Sequence, residues 1–151
     1  MAVTLLAAEL FDERQCTLGE GPVSSGPAHT HVEWVDIEGK KVLSRNIETG
    51  QSSEYAVPEL VGFVIPAESG KSLLGTTSGP VLYDGNSFSA YASRNESDVT
   101  PMRWNDAKVA PTGDLFLGSM AYEDQSNEGA FYRLSKDGKK LTRLLDRKSV
   151  V

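Results

Sequence analysis

The fold is decided by the stretch EWVDIEGKKVLSRNIETGQ, which runs from Glu33 to Gln51. Two short runs rich in apolar and β-branched residues, WVDI and KVLSRNI, flank the turn signal Glu38-Gly39, and a Thr-Gly pair follows the second run. Glycine at a turn adopts a positive φ without a Cβ clash, so this order is typical of a β-hairpin. The stretch therefore predicts two antiparallel strands joined by a tight turn.

Two later segments repeat this order. SLLGTTSGPVLYDGNSF begins at Ser72 and DLFLGSMAYEDQSNEGAFYRLSKDG at Asp114; each has an apolar run, a turn or loop, a second apolar run and an Asp-Gly pair. Aligning Asp36 with Thr76 and Ser119 gives offsets of 40 and 43 residues. A period of roughly 40 to 50 residues with several strands per unit is typical of propeller blades, whereas the alternative, a β-sandwich, does not repeat the strand–turn–strand order. We predict an all-β protein built of propeller blades.

The length of the chain is small for a propeller. At this period, 151 residues hold about three blades and part of a fourth. Propellers usually have about 4 to 8 blades, and a partial ring leaves open sheet edges. We therefore predict that residues 1–151 form half of a propeller, either as a piece of a longer protein or as half of an assembly.

Charge and cysteine content exclude several classes of protein. The net charge is -6, from 21 acidic and 15 basic residues, which argues against a nucleic-acid partner because such proteins need a basic face. Cys16 is the only cysteine, so no intrachain disulfide forms and a reduced, cytoplasmic location is expected. The first residues are too acidic for a signal peptide, and no apolar run approaches the roughly 20 residues of a membrane helix, so no membrane partner is expected.

Glu20 is the first candidate site residue. It stands between two glycines in TLGEGPV, residues 17–23, with Pro22 fixing the next turn. Flanking glycines allow close approach of the backbone, and carboxylate oxygens are suited to a hard divalent cation. The alternative is a glutamate in a solvent-exposed turn, which the pattern alone favours.

Arg103 and Asn105 are the next candidates, in RWNDAKVAPTGDLFLGSM, residues 103–120, where they directly precede a predicted strand. On an extended backbone they point to one side while Trp104 points into packing. Arginine supplies a fork of donors for carboxylate or carbonyl oxygen, and asparagine offers a donor and an acceptor for sugar hydroxyls. The alternative is a polar loop in which Asn105-Asp106 forms an Asx turn, and spacing alone leaves the choice open.

Other polar residues fit loops better than sites. Glu123 stands in an acidic loop with Asp124 and Glu128, which by pattern is a solvated loop. His29 and His31 alternate, but two imidazoles without a third ligand nearby are weak support for a metal site. No serine or cysteine has the setting of an activated nucleophile, so a serine or cysteine hydrolase is not predicted.

Taken together, four segments resemble the family of senescence marker protein (regucalcin), gluconolactonase and luciferin-regenerating enzyme. They are LGEGPV (18–23), WVDIEGKKVLSRNIETG (34–50), RWNDAKVAPTGDLFLGSM (103–120) and GAFYRLSKDGK (129–139), and the resemblance extends from about Cys16 to Val151. It implies a six-bladed propeller that holds one divalent metal (Ca²⁺, Zn²⁺, Mn²⁺ or Mg²⁺) near its axis and hydrolyses sugar lactones. It also implies that Glu20 is a metal ligand, that Arg103 and Asn105 contact the lactone, and that Glu123 is a further substrate contact.

The resemblance also implies that part of the site lies outside the chain. In the family, an asparagine ligand and an aspartate that is both ligand and supposed general base follow the segment matching DRKSVV (146–151). We therefore expect no catalytic base in this chain, and weak metal binding by the chain alone. Three alternatives stay open: a truncated piece of a full lactonase, two half-propellers that pair as a homodimer and complete the ring, or a divergent, inactive remnant. The alternative function is that of a calcium-binding or dimerising module without hydrolase activity.

Overall fold

The computed structural model describes residues 7–67, 70–92, 102–122 and 129–146, which form three four-stranded antiparallel sheets. Consecutive strands are neighbours in every sheet, as in propeller blades, so the all-β prediction is confirmed. Blade 1 contains β1 Gly19–Ser25, β2 His31–Asp36, β3 Lys41–Asn46 and β4 Ser52–Ala56; blade 2 contains β5 Val61–Pro66, β6 Ser72–Thr76, β7 Gly79–Tyr83 and β8 Phe88–Ala90; blade 3 contains β9 Met102–Val109, β10 Leu115–Ala121, β11 Ala130–Leu134 and β12 Leu141–Asp146.

Helical structure in the described ranges is limited to one short 3₁₀ turn, Pro27–His29, between β1 and β2. None of the described residues belongs to a helix long and apolar enough to cross a membrane.

The first strand of each blade, called here an inner strand, contains a β-bulge at an equivalent position. In β1, β5 and β9 two residues oppose a single residue of the second strand: Gly21 and Pro22 oppose Trp34, Gly62 and Phe63 oppose Gly75, and Asn105 and Asp106 oppose Gly118. Each bulge bends the strand and re-aims its side chains. The three blades therefore share one backbone design at the level where the inner strands lie side by side, with β5 in contact with both β1 and β9.

The bulges correct the sequence alignment by one residue in blade 1. Val35, Thr76 and Ser119 each pair with the residue that directly precedes a bulge, so Val35 rather than Asp36 is equivalent to the other two. The sequence alignment used the residue that ends the apolar run, but β2 continues to Asp36, one residue past the position equivalent to Thr76, where β6 ends. The offset from Val35 to Thr76 is 41 residues (76 − 35).

The hydrophobic core lies between the blades. One cluster joins blades 1 and 2 and contains Val35, Ile37, Val42, Val57, Val61, Val64 and Leu74. A second cluster joins blades 2 and 3 and contains Phe63, Trp104, Ala107, Leu115, Leu117, Ala130, Tyr132 and Leu134. Phe63 and Val64 are neighbours on inner strand β5. Phe63 packs in the cluster between blades 2 and 3, and Val64 packs in the cluster between blades 1 and 2, so β5 contributes to both cores.

The chain before β1 covers the outward face of blade 1. The guanidinium of Arg14 lies 5.1 Å from the centre of the Trp34 ring and donates to an Asp12 carboxylate oxygen at 2.9 Å. Phe11 meets the edge of the same indole at 6.3 Å between ring centres. This segment shields an aromatic face of blade 1 that faces away from blade 2.

Asp36 is a buried carboxylate that holds the entrance and the turn of blade 1. It is 2% exposed and accepts backbone N–H donors from Leu18, Gly39 and Thr17 at 3.0 to 3.1 Å. Burial alone would raise the pKa of Asp36, but the three backbone donors outweigh that effect and the pKa lies below its ordinary value of 3.8. The charged form is therefore part of the folded structure.

Replacing Asp36 with asparagine is expected to lower the free energy of unfolding by about 1 to 3 kcal/mol, because a neutral amide leaves donors of the turn unsatisfied. Since the folded pKa is depressed, the stability from Asp36 is complete above the unfolded pKa and is lost as pH falls through the folded pKa. Urea unfolding of both proteins between neutral pH and pH 3 should show a shallower acid loss in the variant. Asp137→Asn, in an exposed turn, is the control and should change less; equal acid slopes for Asp36→Asn and the parent would contradict this assignment.

Candidate functional site

Arg103 and Asn105 form a hydrogen-bonded pair on inner strand β9. Nη1 of Arg103 donates to Oδ1 of Asn105 at 3.2 Å and to the carbonyl oxygen of Trp104 at 3.2 Å. Trp104 points the other way, is 2% exposed, and meets Tyr132 edge-on with 5.2 Å between ring centres. The predicted alternation is confirmed. The half-buried side chains of Arg103 and Asn105 lie on one side of the strand, and the Trp104 indole is buried on the other side.

The strand assignment changes the interpretation of this segment. Arg103, Asn105 and Asp106 lie inside β9, not in a loop before a strand, so the polar-loop alternative is wrong. Asp106 is an exposed bulge residue whose carboxylate accepts from the Ala107 N–H at 2.7 Å. Asn105 and Asp106 form a β-bulge opposite Gly118, and a bulge interrupts the alternating pattern of a strand. For this reason the segment was not predicted as a strand from the sequence.

Glu20 lies on inner strand β1, directly before the bulge at Gly21. It is half-buried, so the alternative of a glutamate in a solvent-exposed turn is wrong. Gly21 has a φ of 62°, a conformation that favours glycine, and this conformation begins the bulge that follows Glu20. No hydrogen bond or ion pair from the described ranges reaches the Glu20 carboxylate, which leaves its oxygens available to a cation.

Glu20 and the Arg103–Asn105 pair occupy the same level of two inner strands. Glu20 in β1 is equivalent to Trp104 in β9, because each directly precedes its bulge. Arg103 and Asn105 therefore flank, along β9, the position that Glu20 holds in β1. Strand β5 lies between them and presents Gly62 at the level of Asn105. Within the described part of the chain, no direct contact joins Glu20 to the pair.

A Cβ built on Gly62 would overlap the carbonyl oxygen of Trp104 and lie 2.5 Å from its carbonyl carbon. The missing side chain of Gly62 thus lets β5 approach the backbone between Arg103 and Asn105. A glycine inside an apolar run signals such an approach of another backbone, and VGFVIP (61–66) carries that signal, which the sequence interpretation did not use.

The metal-ligand set is incomplete in the residues described. They contain no group of three His, Cys, Asp or Glu side chains that could hold an ion, so Glu20 is a single candidate ligand. His31 begins β2, and its ring contacts Thr30 and Asn46, while His29 is an exposed residue of the preceding turn. Glu123 lies outside the described residues, and its role stays a prediction from the sequence.

Comparison with known proteins identifies the family. The sequence model of the SMP-30/Gluconolactonase/LRE-like region matches residues 18–151. Regucalcin of Danio rerio is 33% identical over 124 residues, which cover 80% of this chain and 41% of that protein. A pentonolactonase of Haloferax volcanii is 30% identical over 131 residues, covering 83% of this chain and 42% of that protein.

A solved structure reproduces the arrangement of the three blades. The crystal structure of a calcium-binding protein, regucalcin from Agrobacterium tumefaciens, superposes with a TM-score of 0.83 at 27% identity and covers 93% of this chain and 47% of that one. The chain thus spans less than half the length of each of these relatives. The resemblance drawn from the sequence is confirmed over the same residues, and the chain belongs to the SMP-30/gluconolactonase/LRE-like family.

Proposed function

We propose that the protein formed by this chain is a metal-dependent hydrolase of sugar lactones, in which Arg103 and Asn105 bind the substrate and Glu20 is one ligand of a divalent metal. The proposal rests on the 3.2 Å hydrogen bond that joins Arg103 and Asn105 on an inner strand, at the level of Glu20. Family membership supplies the reaction class, and relatives that carry the name lactonase support it.

Arg103 and Asn105 would donate hydrogen bonds to different parts of the substrate. Because Oδ1 of Asn105 accepts from Arg103, the amide nitrogen of Asn105 is the group left to donate to a sugar hydroxyl or ring oxygen. Nη1 of Arg103 donates to protein acceptors, and its other N–H groups, which meet no acceptor in the described ranges, are available to the lactone carbonyl. Preorganised donors of this kind stabilise the negative charge that develops on a carbonyl oxygen during attack by water.

The role of the metal follows from the Glu20 carboxylate, which forms no hydrogen bond or ion pair with the residues that the structure describes. A bound divalent ion polarises a carbonyl and lowers the pKa of a coordinated water. Ca²⁺, Zn²⁺, Mn²⁺ and Mg²⁺ all accept carboxylate oxygen. The described residues supply one such carboxylate and no group of three acidic or His/Cys side chains, so they do not fit a complete metal site. We propose that the remaining ligands and the general base come from the rest of a closed ring.

The outward face of blade 3 supports ring closure. Phe116 and Phe131 stack there with 5.7 Å between ring centres, and Leu145, the partner of Phe131 in the sheet, is 63% exposed. At blade 1 the segment containing Phe11 and Arg14 forms the outward surface, and a partner that closes the ring would pack against this segment, where Leu10 is 80% exposed. A second copy of this chain or a further part of the same protein would bury the apolar face of blade 3. A dimerising, calcium-binding module without activity is the second candidate function, favoured by the same face.

The test is hydrolysis of gluconolactone by size-separated fractions of the protein, with Mn²⁺, Zn²⁺ or Ca²⁺ added. We expect little activity in a monomer and metal-dependent activity in a species that closes the ring. In the active species, Arg103→Lys or Asn105→Ala should lower kcat/KM by about 10- to 100-fold, because each removes a donor to the transition state.

Lys108→Ala is the matched control, since this exposed side chain lies on the same strand and should leave kcat/KM unchanged. If every size fraction binds the added metal ion but none hydrolyses gluconolactone, the dimerising, calcium-binding module is the better account of the protein. Strong turnover by a monomer that persists in Glu20→Ala would contradict the assigned metal ligand.

A further inference from the structure

Blade 1 departs from the repeat at Glu33. The residue that pairs with the first residue after each bulge is Glu33 in blade 1, Leu74 in blade 2 and Leu117 in blade 3. Both leucines are 0% exposed and belong to the clusters between blades. A partly buried carboxylate thus occupies the position at which the other two blades bury a leucine, and its buried oxygen Oε2 costs stability unless a partner satisfies it.

Two buried polar atoms near this position have no partner in the described part of the chain, Oε2 of Glu33 and Oγ of Ser25, and both have essentially no exposed surface. Ser25 as a whole is 4% exposed. Oη of Tyr55 is equally buried, and among the described residues it has a weak partner in Ser72. Buried polar groups are hydrogen-bonded in the great majority of cases, so these atoms indicate an occupant that satisfies them.

The space for such an occupant is a cavity of about 170 Å³ between blades 1 and 2, whose wall includes Glu33, Tyr55 and Ser72. It adjoins a larger, open depression of about 750 Å³ that shares Glu33 and Ser72, includes Ser25 and extends to residues 106–109 of blade 3. The larger depression passes beside the proposed lactone site, whereas the wall of the smaller cavity includes neither Glu20, Arg103 and Asn105 nor their neighbours in the chain, so its occupant does not depend on that function.

The wall of the smaller cavity favours a positive charge, because it contains Glu33 and no lysine, arginine or histidine, whereas Lys71 and Lys108 line the larger depression. Burial raises the pKa of the Tyr55 hydroxyl, a hydrogen bond with Ser72 lowers it in part, and the negative charge of Glu33 raises it further, so Tyr55 stays a neutral hydroxyl. No lysine, arginine or histidine among the described residues forms an ion pair with Glu33. Tyr55 and Tyr83 stack at 4.3 Å in the wall of the smaller cavity and offer an apolar surface beside the carboxylate.

We infer that the space between blades 1 and 2 binds a small organic ammonium ion, whose nitrogen donates to Glu33 and Tyr55 and whose carbon atoms pack along the tyrosines. A carboxylate beside aromatic rings suits an organic cation better than a neutral polyol, because the polyol leaves the charge uncompensated. A metal ion is less well matched, since the described residues here include no group of three acidic or His/Cys ligands.

The test is an NMR titration of the ¹⁵N-labelled protein with ethanolamine hydrochloride, with ethylene glycol and sodium chloride as neutral and ionic controls. Ethanolamine should shift the backbone amides of Ser25, Glu33 and Ser72 in a saturable manner, and neither control should do so. Glu33→Gln should weaken the apparent affinity by at least about tenfold, and Tyr55→Phe should weaken it to a smaller degree. Glu38→Gln, an exposed residue of the turn after β2, is the matched control and should bind as the parent does.

Glu33→Leu supplies a second measurement, because leucine is the residue that blades 2 and 3 place there. It should abolish the ethanolamine shifts and leave the melting temperature equal to or above that of the parent. Three results would overturn the inference: shifts of equal size with ethylene glycol, unchanged affinity in Glu33→Gln, or no saturable shift at all, which would mean that the cavities hold only water. If Glu33→Leu fails to fold, Glu33→Gln and Tyr55→Phe decide the question.

Discussion

Gly62→Ala is expected to lower the free energy of unfolding by about 3 kcal/mol and to displace the Arg103–Asn105 pair. The added Cβ would overlap the carbonyl oxygen of Trp104 and lie 3.2 Å from the backbone nitrogen of Asn105. These are backbone atoms of β9, so no side-chain rotation relieves the overlap and two inner strands must separate. Urea unfolding gives the change in stability, and the backbone amide shifts of Trp104 and Asn105 report the displacement.

Gly19→Ala is the matched control, because Gly19 also lies on an inner strand and has no positive φ. Its Cβ would lie 3.1 Å from Cβ of Cys16, a side chain in a segment outside the sheets that is able to give way. We expect a change within about 1 kcal/mol, since alanine also reduces the entropy of the unfolded chain. Equal losses for the two variants would show that the approach of β5 to β9 does not limit stability.

The second and third strands of the blades were predictable from the sequence and the inner strands were not. Runs such as KVLSRNI and GAFYRLS have apolar residues bounded by turn signals, and these became β3 and β11. Strands β1, β5 and β9 carry Gly-Pro, Gly-Phe and Asn-Asp at their bulges, which break the period of two. The same bulges position the residues of the candidate site. The alternation of apolar and polar residues, from which strands are predicted, is therefore interrupted at the candidate site.

The candidate site was predictable where its geometry is local. Arg103 and Asn105 are two residues apart, so an extended backbone is enough to place them on one side, and their hydrogen bond confirms this. The level of Glu20 relative to them depends on two bulges that begin 84 residues apart (105 − 21), which spacing cannot reveal. The position of Glu33 was not predicted for a similar reason. Only the strand register within each blade shows that Glu33 is equivalent to Leu74 and Leu117.

Phe63→Ala is expected to lower the free energy of unfolding by about 3 to 5 kcal/mol. Phe63 is 1% exposed and is the bulge residue through which blade 2 enters the core of blade 3, beside Trp104 and Tyr132. Removing the ring leaves a cavity between two sheets that cannot collapse without moving a whole blade. Calorimetric or urea unfolding measures the loss. Phe88→Ala, which removes a ring that is 37% exposed at the outer strand of blade 2, should cost clearly less, and a similar loss at both positions would contradict the assigned role of Phe63.

A double-mutant cycle between Phe63 and Gly75 tests how that ring is seated. A Cβ on Gly75 would overlap the Phe63 ring, lying 2.5 Å from Cδ1 and 2.7 Å from Cζ, so Gly75→Ala should destabilise the parent by about 1 to 3 kcal/mol. In the Phe63→Ala background the same methyl group enters the space that the ring has left, and Gly75→Ala should be neutral or stabilising. The two substitutions should therefore be coupled by about 1 to 3 kcal/mol in the direction of mutual compensation. If the losses in free energy of unfolding from Phe63→Ala and Gly75→Ala are additive, the Phe63 ring does not lie over Gly75. Gly75 would then be required for the backbone conformation opposite the bulge and not for the packing of the ring.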